Sequence, residues 1–225
     1  EKTTPQWAIR WISEPHAFRS TTRMPSFFYQ RNMVDPHVVP AVDLAQNVKF
    51  QDAEVHAIVS YLFAKSSHRV WPAPAGGDAA RGKQIVSSVG CLACHVDSEF
   101  VQKKAGEKDI PDTGFGPVPA GFRRARRDDY PLERNFGFNL AGVGTKTHPG
   151  WVFNWIKNPK KYYADAPMPS LRLTDAEASD VTAYLMSLQK PQFLQTPVRN
   201  VDPKALHDLA KSYLINTLSD RDAES

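Results

Sequence analysis

The stretch Cys91-Leu92-Ala93-Cys94-His95 decides how the rest of the chain is read. Two thiols three positions apart, followed at once by an imidazole, are what covalent haem attachment needs. Each S–H can add across one porphyrin vinyl group, and the histidine can reach the iron. Other chemistries use parts of the same pattern. Cys91 and Cys94 are the only cysteines of the chain, so a four-cysteine zinc site is excluded within it, and a zinc ion would need His95 and a distant histidine to complete its ligands. A thioredoxin-like dithiol is expected beside alternating strands and helices, which the flanks lack. A disulfide would leave the adjacent histidine a coincidence.

Just upstream, Asp78 can cap a helix running from about Ala79 to Val89, which delivers the chain to Cys91. Before it, residues 66–77 carry Pro72, Pro74, Gly76 and Gly77 and read as a linker. Downstream, the segment from His95 to Asn139 is rich in Gly, Pro and charge without a sustained period, and reads as a long loop excursion. Its Arg123, Arg124, Arg126 and Arg127 meet Asp128 and Asp129 at once. That run reads as a solvated loop, with a docking patch as the alternative.

Trp151 and Trp155 then share a helix face with Ile156 beside them, and Pro159 should stop that helix near Asn158. Thr174 and Glu177 make a capping box before a helix with Val181, Tyr184, Leu185 and Leu188 at helical spacing. Beyond Pro191, Asp202 and Pro203 signal one more helix. Its stripe of Leu206, Leu209, Ala210, Tyr213, Leu214 and Leu218 calls for a partner, expected to be a following domain.

The helices at 151–156 and 174–188 have earlier copies. A shift of 144 places Lys2, Thr3, Pro5, Trp7, Trp11, Ile12, Pro15, Met24, Pro25 and Ser26 on Lys146, Thr147, Pro149, Trp151, Trp155, Ile156, Pro159, Met168, Pro169 and Ser170. Ten identities in 25 gapless positions, two of them tryptophan pairs, mark an internal repeat. The match resumes at a shift of 123, where Asp52, Ala53, Glu54, Tyr61 and Leu62 fall on Asp175, Ala176, Glu177, Tyr184 and Leu185. The first copy, residues 1–65, has no Cys-x-x-Cys-His of its own, and the chain is expected to open in the middle of a domain.

A length of 225 residues with 41% hydrophobic residues can bury one core or two modest ones. A net charge of +4, dispersed apart from the arginine run, makes nucleic acid a poor partner. No run of about 18 apolar residues is present to span a bilayer. Membrane association would therefore need another subunit or a segment outside this sequence. The opening at Glu1, without methionine or a signal pattern, reads as a processed or partial chain.

In order, the helix into Cys-x-x-Cys-His, Gly137-Phe138-Asn139-Leu140, Met168-Pro169 and Ala183-Tyr184-Leu185 resemble the class I c-type cytochromes over residues 78–190. The doubled pattern is similar to the multidomain bacterial members. The resemblance implies an all-α fold around a covalent haem, with Cys91 and Cys94 holding it, His95 as proximal ligand and Met168 as distal ligand. Methionine sulfur is a soft, neutral ligand that favours ferrous iron, and Pro169 stiffens its loop. His148 is the rival distal ligand, and Met168 could instead fill the core as Met186 does. Leu140, Trp151, Trp155, Tyr163 and Tyr184 are candidates for the pocket wall. Phe138 stands where the family commonly has proline, whose carbonyl takes the histidine's ring proton.

The repeat makes Met24 a candidate ligand to a second haem whose attachment motif lies outside this chain, in an upstream segment or a partner, with Met33 as a spare; the alternative is a first copy that has lost its haem and become a docking domain. The function implied is single-electron transfer between redox protein partners, outside the cytoplasm, where such haems are attached in bacteria. The alternatives are a peroxidase-type haem enzyme with an open iron position and a haem-bearing scaffold subunit of a membrane-bound respiratory complex.

Overall fold

The computed structural model describes residues 2–20, 22–29, 41–67, 69–98, 100–106, 118–124, 137–215, 218 and 222, with 41–48 described by backbone alone. Met33 and the run from Arg126 to Asp129 lie outside the described residues.

Short helices dominate, and most are started by a cap or a proline. Helix α1 (Pro5–Ser13) opens with Thr4 accepting the Trp7 amide at 3.2 Å, and α2 (Pro15–Phe18) follows after Glu14. Helix α3 spans Ala41–Lys65 and packs on α1. Asp78 accepts the Arg81 amide at 2.9 Å and starts α4 (Ala79–Ser88), which leads into the single turn α5 (Cys91–Cys94). After the excursion come α6 (Val143–Lys146) and α7 (Pro149–Lys157), the latter ending at Asn158 before Pro159 as the sequence requires. The capping box of Thr174 and Glu177 forms and starts α8 (Asp175–Ser187). Helices α9 (Pro191–Gln195) and α10 (Pro203–Leu214) complete the order.

The crossing of α4 over α8 organises the core. A Cβ on Gly82 would run into the carbonyl oxygen of Asp180, so only glycine lets the two helices approach this closely. Asp180, 8% exposed, locks the crossing by accepting from the Asp78 amide at 2.6 Å and from Arg81 at 2.9 and 3.1 Å. Those hydrogen bonds from Arg81 hold its carboxyl below the usual carboxylate range. Val86, Leu140, Val143, Val152, Ile156, Val181, Tyr184 and Leu185 close around the crossing as one apolar cluster. Each fully buried aliphatic side chain there contributes about 1.5–3 kcal/mol.

One expectation is corrected. The excursion after His95 is not all loop: β1 (Phe100–Gln102) pairs antiparallel with β2 (Phe122–Arg124), and Arg123 and Arg124 sit in that ribbon. Among the described residues the tail packs on the first copy. Helix α10 lies against α3, with Lys49 paired to Asp208, and Phe193 of α9 joins Trp7, Ala17 and Phe18 in a second aromatic cluster. Of its expected stripe only Leu209 is buried, while Leu206, Tyr213, Leu214 and Leu218 stay exposed. The linker is also held in place, since Trp71 packs edge-on against Tyr162 at 4.7 Å.

Candidate functional site

The cavity around His95 is assembled from four pieces of chain. Gly90 takes a left-handed conformation (φ 89°), which turns α4 into α5 and sets Cys91 at the cavity wall. Residues 137–140 then wrap over the attachment turn. The Gly137 amide donates to the Cys94 carbonyl at 2.9 Å, and the Leu140 amide donates to Val96 at 2.7 Å. A side chain on Gly137 would occupy the space of the His95 ring. Glycine is needed there so that the wrap can press against the imidazole.

That wrap decides the histidine's chemistry. His95 Nδ1 lies 2.8 Å from the Phe138 carbonyl, which can only accept, so Nδ1 carries the proton and Nε2 keeps its lone pair for a metal. Phe138 thus supplies the carbonyl that the family commonly takes from proline, and its ring meets the imidazole edge-on at 5.5 Å. Such a bond fixes both tautomer and ring orientation.

Met168 lines the same cavity from the loop before α8. The Trp155 indole N–H donates to its sulfur at 3.1 Å, and Trp155 stacks on Trp151 at 5.2 Å, so the thioether is held by a rigid pair. The walls are almost wholly apolar, with Val86, Leu140, Val152, Ile156, Leu173, Val181 and Leu185 among them. Cys91 and Cys94 are not joined in a disulfide, and burial pushes the Cys91 thiol up. Among the described residues no three His, Cys, Asp or Glu side chains converge as a metal group, so nothing completes a zinc site around His95.

Of the residues singled out in the sequence, Cys91, His95, Leu140, Trp151, Trp155 and Met168 meet at the cavity. Cys94 is exposed, one turn along from Cys91. Tyr184 belongs to the core behind the wall, where its hydroxyl donates to Asp97 at 2.7 Å, a bond that, with burial, raises its pKa. Tyr163 is exposed, Pro169 only follows the methionine, and His148 is the N-cap of α7, outside the cavity lining. Gly137 was quoted as part of a motif, but its cradle role shows only once the ring is placed. The residues fit a haem c: two thiols within one turn, an imidazole with Nε2 available, and a soft sulfur on the same dry cavity. Thr147 Oγ1 is buried with no hydrogen-bond partner among the described residues.

Searches of curated proteins and of solved structures returned no match. The family model described as Cytochrome c matches residues 79–189, which begins with α4 and ends just beyond α8. That match, over the residues that carry the attachment turn, the clamped histidine and the facing methionine, supports a c-type cytochrome domain within this chain.

Proposed function

We propose that this protein is an exported electron carrier. Haem c is held by Cys91 and Cys94, His95 and Met168 are the iron ligands, and single electrons pass to and from protein partners. The observation that carries this reading is that His95, with Nε2 available, and Met168, held by Trp155, line one apolar cavity with Cys91 at its wall. A bound haem c supplies one-electron chemistry at its iron.

The chain's own residues do the rest. Phe138 keeps the His95 ring turned, so that Nε2 would be oriented in advance for a haem iron. Trp155 occupies one face of the Met168 sulfur and leaves another for the iron. The aliphatic wall excludes water, and thioether ligation favours the ferrous state, both of which raise the potential. With His95 and Met168 both bound to a haem iron, no iron position would be left for a substrate.

Partners are expected to be redox proteins that approach the haem edge, or neighbouring subunits of a membrane-bound complex. Among the described residues no helix is long and apolar enough to cross a membrane. The test is Met168→Ala: the midpoint potential should fall and carbon monoxide affinity should rise. Avid carbon monoxide binding by the reduced wild type at neutral pH would favour the peroxidase-type reading, and an unchanged spectrum and potential in the variant would remove Met168 as ligand.

A further inference from the structure

The repeated half of the chain reproduces one side of the haem cavity. A cleft formed by α1, α3 and the loop between them is lined by Trp7, Trp11, Ile12, Met24, Ile58 and Leu62. Every one of these aligns with a residue lining the cavity beside Met168: Trp151, Trp155, Ile156, Met168, Val181 and Leu185. Side-chain geometry repeats as well. Trp7 stacks on Trp11 at 5.3 Å and 14°, and Trp151 on Trp155 at 5.2 Å and 14°.

The two clefts differ in what covers them. Val86, Cys91, His95 and Leu140 supply the opposite wall in the second copy, and among the described residues nothing stands there in the first. The space is accordingly about 1190 Å³ in the first and about 570 Å³ in the second, each counted to its open mouth. The uncovered face is specific. Ile58, Tyr61 and Leu62 are 40%, 63% and 51% exposed, while their counterparts Val181, Tyr184 and Leu185 are 2%, 7% and 6% exposed. On α8 that face is the one crossed by α4, the helix that carries the attachment motif.

Polar atoms point to the same occupant. Trp7 Nε1 and Thr3 Oγ1 are buried at this cleft without a hydrogen-bond partner among the described residues. Thr3 is the counterpart of Thr147, whose hydroxyl is likewise unpartnered. The carboxylate side chains of a haem are acceptors that would satisfy such donors.

We propose that α1, Met24 and residues 58–66 at the end of α3 form the methionine half of a second haem c site, with Met24 as iron ligand. The occupant is a partner polypeptide segment bearing haem c on a Cys-x-x-Cys-His that follows a helix. It must come from outside this sequence, because Cys91 and Cys94 are its only cysteines. A second copy of this chain is unsuitable, since its own motif is engaged under α8. Lys2 lies 4.0 Å from the Trp151 ring centroid and Lys146 lies 5.2 Å from that of Trp7, so the clefts adjoin and the two haems would form a relay.

The proposal rests on the ligand reading of Met168, and the test separates the two. Haem-loaded protein is titrated with a short haem c peptide of Cys-x-x-Cys-His pattern, whose iron has histidine on one side and water on the other. The readout is the ferric sulfur-to-iron charge-transfer band per chain. The wild type should rise from one band equivalent to two, and Met168→Ala from none to one. Met24→Ala should gain none. Leu62→Lys, at an exposed site that leaves folding intact, should weaken peptide binding by about tenfold or more. No gain in the wild type, an equal gain in Met24→Ala, or a dimer that buries the cleft and excludes the peptide would overturn the proposal. A Met168→Ala protein that keeps its own band before titration would instead sink the ligand reading of Met168.

Discussion

Helices α3 and α8 share an Asp-Ala-Glu run and a Tyr-Leu pair at the same spacing, and meet opposite fates. On one face they agree: Val55 and Val59 of α3 are buried, as are Ala178 and Thr182 of α8. On the next face, Tyr61 and Leu62 are open to solvent where Tyr184 and Leu185 are sealed. Helical periodicity decides which residues can be buried together. Whether they are buried depends on an element arriving from elsewhere in the chain, and for α8 that element is α4.

The comparison can be broken most severely at the attachment turn. Replacing Cys91 and Cys94 together by serine should abolish covalent haem, read by haem staining of the denatured chain. It should also unfold residues 79–189, because the lost apolar burial amounts to on the order of 10 kcal/mol. Elements α1 and α3, which do not depend on that haem, should keep their helical signal.

A paired substitution sharpens the contrast between the helices. Tyr184→Ala should cost about 3–5 kcal/mol in denaturant unfolding, as a large buried side chain whose hydroxyl bonds Asp97 is removed. Tyr61→Ala should stay within about 0.5 kcal/mol. Similar losses at the two positions would mean that α3 is covered in solution.

Gly82→Ala tests the crossing itself. The added methyl meets backbone and not a flexible tip, so α4 must shift, at about 1–3 kcal/mol. Asp180→Asn separates charge from shape at the same crossing. Arg81 depresses the native Asp180 pKa, so this carboxylate stabilises the fold above its unfolded pKa of about 3.9 and loses that contribution as pH falls through the native value. The stability gap between wild type and variant should therefore close towards low pH. A gap that persists undiminished below that range would assign the loss to shape and not to charge.

Much of the site was legible because its chemistry is local. Cys91, Cys94 and His95 are adjacent in the chain, Met168 is marked by its duplicate, and the capping box announces α8. Gly137 and Asp180 were not legible, since the His95 ring and the Arg81 guanidinium that give them meaning come from distant segments. Arg123 and Arg124 misled because a three-residue strand has too few positions to show alternation. The packing of the tail on α3 was not legible because an amphipathic stripe does not name its partner.

The sequence by itself determined the attachment chemistry, the helix boundaries and the repeat, since these follow from residues within a few turns of one another. Only the tertiary structure decided the tautomer of His95, the hold of Trp155 on Met168 and the cover of one cleft but not the other. Each of those requires two distant segments to meet, and short-range periodicity carries no information about which ones do.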